Sequence, residues 1–350
     1  MIGERAISVV IPVRDGAATL ARCLGAALAS RYGRFEVVVV DDGSRDGTAE
    51  IAGRFPVKLV RLARHAGVSR ARNAGAAAAT GELLLFIDAD CLLREDALAV
   101  ANAAYGEGRA RVLGGTYTAA PHDGDFFSAF QSVFIRHFET KRTEPDYVAA
   151  HLMVIDAELF RRSGGFVEGA FIGVAASVED VELSHRLRRA GCELVMNPDL
   201  QVQHVFGFSL RRSLANAVKK ARIWTAYSLA NRDLLADSGT ASWELKTNVV
   251  AAALQAALLA LAALLGSGWP LAPAAALLAL DLHVNRRLIA AWLGSRGGRF
   301  AGLASLYYVT LYAAAVGTGA AAGAAQWLWS FRSPGRTSCI PRSGTLDLSS

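Results

Sequence analysis

The chain has 350 residues, 53% hydrophobic and 19% charged, with a formal net charge of +6. That length holds one large domain with an appendage. Four cysteines (Cys23, Cys91, Cys192 and Cys339) stand without CxxC or Cys/His spacing, which argues against a disulfide frame or a zinc site and for a reducing compartment. Basic clusters such as Arg186-Leu187-Arg188-Arg189, Arg211-Arg212 and Lys219-Lys220-Ala221-Arg222 suit phosphate-bearing substrates or an anionic membrane face better than nucleic acid.

The predicted elements begin with a buried strand over residues 6–13, ended by Pro12. The apolar run there is too short for a signal peptide, so the catalytic part is expected to stay cytosolic. A helix follows over 17–30, then a β-branched strand over 35–40 running into Asp41-Asp42-Gly43-Ser44. Residues 48–55 are predicted helical, 57–62 a strand, 68–79 an alanine-rich helix and 83–87 the next strand. Strands alternating with helices predict a parallel, doubly wound sheet. The middle, 111–162, is less regular and rich in aromatic residues. Beyond it, 178–190 is predicted as a helix ended by Gly191, 193–196 and 201–205 as two short strands, and 210–231 as a basic amphipathic helix.

After Lys246 the character changes. Residues 248–265 are nearly free of polar side chains and close to the roughly 20 needed to cross a bilayer. A break at Gly266-Ser267-Gly268-Trp269-Pro270 precedes a shorter apolar run, 271–280, and basic residues follow over 286–299. Residues 301–331 are apolar, with Tyr307, Tyr308, Tyr312, Trp327 and Trp329 placed as interfacial anchors. Two crossings with a short partner of the first are expected, and a disordered tail over 332–350.

One motif carries chemistry by itself. Asp88-Ala89-Asp90 directly follows the apolar run Leu83-Leu84-Leu85-Phe86-Ile87. Two carboxylates at the end of a buried strand stand at the sheet's carboxyl edge, where open α/β sheets bind ligands. Oxygen-rich sites of this kind suit Mg²⁺ or Mn²⁺ shared with substrate phosphates, while acids after strands also serve as turn residues and helix caps.

Five motifs occur in order: Ser8-Val9-Val10-Ile11-Pro12, Val40-Asp41-Asp42-Gly43-Ser44, Ala71-Arg72-Asn73-Ala74-Gly75, Phe86-Ile87-Asp88-Ala89-Asp90 and Val178-Glu179-Asp180-Val181-Glu182. Together they resemble the family 2 glycosyltransferases, inverting and nucleotide-sugar-dependent, over residues 6–208. The resemblance implies an α/β GT-A (Rossmann-like nucleotide-diphospho-sugar transferase) domain at 1–232. Transmembrane or interfacial helices at 246–331 and the tail at 332–350 complete the expected division.

It also implies roles. Pro12, Val13 and Asp42 would receive the nucleoside, with Arg72 and Asp88 beside the donor. Asp90 and His204 would hold Mg²⁺ or Mn²⁺ at the diphosphate. Asp180 would be the general base, with Glu179 next to it. The commonest family form has Gly directly before the Glu-Asp pair; here Ser177-Val178 stands instead, after a small apolar loop over 169–177 expected to be mobile. Processive synthases of the family carry Gln-x-x-Arg-Trp. Lys220-Ala221-Arg222-Ile223-Trp224 lacks the glutamine and favours a single transfer, with Arg222 and Trp224 as candidates to cover acceptor or diphosphate.

The expected activity is transfer of a sugar from a UDP- or GDP-sugar to a lipid-linked acceptor, such as a polyprenyl phosphate or a glycolipid. The expected setting is a multi-pass protein with a cytosolic catalytic domain at a bacterial inner membrane, without nucleic-acid partners. A nucleotidyltransferase and a non-catalytic membrane scaffold are the alternatives.

Overall fold

The computed structural model describes residues 3–106, 111–168 and 178–330. The expected mobile loop at 169–177 and the expected tail at 332–350 lie outside the described residues. The chain divides into two compact units. One comprises the described residues up to 123 with 139–206, and the other 124–138 with 207–330.

The first unit opens with β1 (Ile7–Val13), α1 (Leu20–Leu28), β2 (Phe35–Asp41), α2 (Thr48–Ala52), β3 (Lys58–Arg61), α3 (Val68–Ala78) and β4 (Leu83–Ile87). There follow β5 (Cys91–Leu93), α4 (Ala97–Tyr105), β6 (Arg111–Tyr117), α5 (Phe126–Glu139), β7 (Leu152–Asp156), α6 (Ala157–Arg162), α7 (Glu179–Arg189) and β8 (Glu193–His204). Most of α5 belongs to the second unit, while Glu139 at its end counts with the first.

All eight strands form one sheet in the order β3-β2-β1-β4-β7-β6-β8-β5. β1, β2 and β4 carry apolar residues on both faces because helices cover both, the pattern of a parallel sheet. The expected parallel pairing holds from β3 to β4. It then breaks: β7 lies antiparallel between β4 and β6, with Ile87 opposite Leu152. The sheet is therefore mixed, because residues 148–156 return alongside β4 without a helical crossover of the kind that parallel pairing needs. The two short strands expected at 193–196 and 201–205 are one strand, β8. Its pairing with β6 slips between Gly114 and Thr116, so that Met196 and Gln201 flank a bulge holding Asn197-Pro198.

The second unit contains α8 (Leu210–Asn231), α9 (Trp243–Leu265), α10 (Leu271–Val284), α11 (Arg286–Tyr307), a π-helical turn at Tyr308–Tyr312 and α12 (Ala313–Ser330). Ser209 and Ser242 cap α8 and α9 by accepting from Arg212 N and Leu245 N at 3.3 and 3.1 Å. Gly297 (φ 80°) interrupts α11. α8 and α12 pack backbone to backbone: a Cβ at Gly319 would fall 2.4 Å from Val218 O, and one at Gly323 2.3 Å from Arg222 O.

Trp243–Leu265 and Arg286–Ser330 are each long and apolar enough to cross a membrane, by length and composition. Tyr307, Tyr308 and Tyr312, expected as interfacial anchors, are buried instead. They pack with Phe130, Phe134 and Trp292, where ring contacts outweigh an exposed position.

Candidate active site

Each polar residue of the site sits where an apolar element of the first unit ends. The β4 run stops at Ile87, which places Asp88 and Asp90 at the sheet edge, part-exposed. β7 runs the opposite way, so its leading neighbour His151 stands next to Asp88, one step beyond the Ile87–Leu152 pair. α7 starts at Glu179 and brings Glu179 and Asp180 to its first turn, where the helix dipole favours acids.

Arg72 ties these pieces together. It projects from α3 and is 4% exposed. It donates to Asp88 Oδ1 at 2.7 Å and Glu179 Oε1 at 2.6 Å, with its guanidinium 5.5 Å from the centre of the Phe166 ring. Burial works against the Asp88 carboxylate, yet Arg72 outweighs it and holds the Asp88 pKa below its usual value. Asn73, one residue on, brackets the Phe166 backbone, donating from Nδ2 to its carbonyl and accepting from its N–H at Oδ1. Gly165 turns there with φ +67°, and a Cβ would lie 2.7 Å from Asn73 Oδ1, so only glycine lets the chain pass.

Asp180 is fixed by two backbone donors, Ala150 N at 3.1 Å and Val181 N at 2.9 Å. Ser184, one turn along α7, accepts from Val148 N at 3.0 Å and secures the same segment.

Asp90, Cys91 and His204 form the candidate cation site, their ligand atoms lying within 4.8 Å of one another. Pairing of Cys91 with His204 across β5 and β8 sets this geometry. His204 Nε2 is 3.5 Å from Asp90 Oδ1, and its ring stacks on Phe206 at 3.8 Å. Burial pushes the His204 pKa down to about 4, leaving the neutral imidazole that ligates metals. Burial, with Asp88 nearby, pushes Asp90 up to about 7, the mark of a carboxylate that a cation would relieve. The Cys91 thiol is raised well above its usual value by burial and stays protonated. Carboxylate plus imidazole therefore fits a hard divalent ion, with the remaining positions left to water or substrate oxygens.

The other expected donor residues lie at neighbouring strand ends. Pro12 and Val13 finish β1, where Val13 O accepts from Asp42 N at 2.8 Å. Asp42 is buried with its oxygens engaged: Oδ1 accepts from Ala66 N at 2.6 Å, and Oδ2 takes Gly67 N at 3.0 Å and His65 Nδ1 at 2.7 Å. It clamps the turn before α3. Asp41 Oδ1 accepts from Ser44 N at 2.9 Å. Arg222 and Trp224 belong to the second unit, on α8.

A second buried pair was missed from sequence. His151 is 9% exposed and stacks on Tyr117 at 4.2 Å, with Nε2 3.5 Å from Glu139 Oε2. Thr116 Oγ1 donates to that same oxygen at 2.8 Å. Burial disfavours the imidazolium, but Glu139 outweighs it and raises the His151 pKa. The available signal was a lone polar residue abutting the apolar run Leu152–Ile155, the mirror of Asp88 after Leu83–Ile87.

A mixed sheet with paired acids after the fourth strand, a buried arginine and an acidic helix start defines the GT-A class of fold. Residues 8–164 match the model of glycosyl transferase family 2, and the chain carries a domain of that family. It is 39% identical over 92 residues to glycosyltransferase AglE of Haloferax volcanii, covering 24% of this chain and 30% of that one. It is 43% identical over 106 residues to a PGL/p-HBAD biosynthesis glycosyltransferase of Mycobacterium bovis, covering 29% and 41%. Both matches span less than half the length of those relatives. Among solved structures, the mannosyltransferase PcManGT from Pyrobaculum calidifontis in complex with GDP-Man and Mn²⁺ has the same fold. Its TM-score is 0.58 at 21% identity, covering 93% of this chain and 88% of that one.

Proposed function

We propose that the chain transfers a sugar, with inversion, from a nucleotide-sugar donor to a lipid-linked acceptor at the cytosolic face of a membrane. The observation that carries this is the Arg72 bridge, which holds Asp88 of the donor side and Glu179, next to Asp180, around one buried cation.

Pro12, Val13 and the 65–67 turn clamped by Asp42 receive the nucleoside; Asp42 shapes that wall through its backbone contacts. Asp88, kept ionised by Arg72, accepts hydrogen bonds from the donor's hydroxyls. Asp90 and His204 would hold the divalent ion, Mg²⁺ or Mn²⁺. Such an ion, when bound, offsets the charge of a diphosphate leaving group. Asp180 takes the proton from an acceptor hydroxyl, its carboxylate aimed by the Ala150 and Val181 N–H groups. Glu179 orients Arg72 and leaves proton transfer to its neighbour. The mannosyltransferase of like fold is described with GDP-Man and Mn²⁺, which supports a GDP- or UDP-sugar with a divalent ion here. The exposed apolar surface of α9 supports membrane attachment and, with it, a polyprenyl phosphate or glycolipid acceptor.

Membranes containing the protein are to be incubated with radiolabelled UDP- and GDP-sugars with and without Mn²⁺, followed by mass analysis of extracted lipids. Label in the lipid fraction, with anomeric configuration opposite to the donor, is the expected result. Pyrophosphate release from a nucleoside triphosphate, or no consumption of any donor, would overturn it.

A further inference from the structure

The second unit carries a surface that the chemistry of sugar transfer does not use. α9 and α10 form a helical hairpin, and no charged side chain occurs between Lys246 and Asp281. The window that qualifies α9 as a span is only 11% buried, the reverse of a soluble core helix. Val250, Leu254, Leu259 and Leu265 point outward on α9, as do Leu271 and Leu280 on α10. At the bend, Leu264 is 82% and Trp269 60% exposed. An apolar surface of this extent needs a nonaqueous partner.

The two ends of the hairpin lie at one level. Asn248, near the start of α9, donates from Nδ2 to the Tyr308 carbonyl at 3.0 Å. The Tyr308 side chain in turn faces Asp281 at the end of α10 and Glu244 at the start of α9. Asp281 Oδ1 accepts from Asn285 Nδ2 at 2.9 Å, and the exposed Arg286 and Arg287 follow at once. Polar groups thus collect where both legs begin, with Lys246 on one and Arg286-Arg287 on the other.

The legs differ in length. From Thr247 to Leu265 the outward leg rises about 28 Å, but from Leu271 to Leu280 the return leg rises only about 15 Å. A bilayer core is about 30 Å thick, so the return leg spans one leaflet. Were the bend to emerge on the far side, Asp281 and the exposed Arg286-Arg287 would sit near mid-depth. That position costs about 3 kcal/mol for each charged side chain at a helix centre.

We propose that the α9–α10 hairpin is a re-entrant anchor. It enters a lipid bilayer from the face on which both its ends lie and turns back inside, so that the 266–270 bend never reaches the opposite surface. The partner is the hydrocarbon of the proximal leaflet, and the basic ends meet its anionic headgroups. This rests on the membrane attachment proposed above and replaces the two-crossing topology expected from sequence for this segment.

The test uses the full chain in native membrane vesicles of both orientations, in a Cys339→Ser background; Cys23, Cys91 and Cys192 are buried. Ser267→Cys and, separately, Trp269→Cys probe the bend. Arg31→Cys, on the exposed surface of the first unit, marks the face carrying the sheet. A membrane-impermeant maleimide should label Arg31→Cys from one side. It should leave both bend cysteines at least about tenfold less labelled from either side, until detergent is added. Labelling of the bend from the side opposite Arg31→Cys would overturn the re-entrant topology while keeping membrane attachment. Release of the unaltered protein by alkaline carbonate would remove both.

Discussion

The sheet unit and the helical unit bury polarity in opposite senses. In the sheet unit the strands are wholly apolar inside, and charge gathers at one edge, where Arg72, Asp88 and Glu179 neutralise one another. In the helical unit the largest apolar side chains face outward on α9 and α10, while Asn248, Asp281 and Asn285 are completely enclosed. Each pattern is stable only in its own solvent. Water covers a polar rim, whereas lipid accepts a Leu-rich exterior and forces polar groups to satisfy one another inside.

Four substitutions would break or sharpen that contrast. The largest effect is expected on rate. Asp180→Asn should lower turnover about a thousandfold by removing a general base, with thermal stability and donor affinity little changed; retained turnover would show that the acid at the edge of the sheet is structural. Arg72→Met should instead act on folding. It leaves Glu179 and Asp88 enclosed without a counter-charge, at a cost of about 3–5 kcal/mol, to be measured by denaturant titration of the purified protein.

In the helical unit the sensitive feature is steric. Gly323→Ala pushes a methyl onto the Arg222 carbonyl and should cost about 1–3 kcal/mol, seen as a lower melting temperature in lipid nanodiscs. A normal melting point would mean that the α8–α12 seam is looser than its geometry implies.

The smallest effect concerns pH. His151 has its pKa raised by Glu139, so this pair stabilises fully below the unfolded histidine value near 6.5 and less as pH rises through the folded value. Glu139→Gln should therefore cost about 2 kcal/mol near pH 6 and progressively less above it. A loss independent of pH from 6 to 9 would assign Glu139 to packing alone.

Much of the donor side was legible because local pattern and chemistry coincide there. The β4 run is apolar and unbroken, and the residues that end it must face the ligand edge. The acids of α7 announced a helix start in the same way. What stayed hidden depends on strand direction. Nothing near Leu152–Asp156 tells whether the strand runs with or against β4, and only the antiparallel choice puts His151 beside Asp88. Asp42 illustrates a second limit. Its motif marked a strand end, but the Ala66 and Gly67 amides that fill its lone pairs come from a turn more than twenty residues downstream. Likewise the tyrosines at 307, 308 and 312 looked interfacial, since composition cannot distinguish an aromatic at a boundary from one stacked inside.

The Asp42 clamp has a consequence for how such a pocket diversifies. Because the carboxylate is already spent on the turn ahead of α3, the part-exposed His65 imidazole and the residues beside it present the variable surface to an arriving ligand. Rewriting that short hinge of sequence can retune which heterocycle is welcomed, while the aspartate beneath goes on steering the Arg72 helix into register.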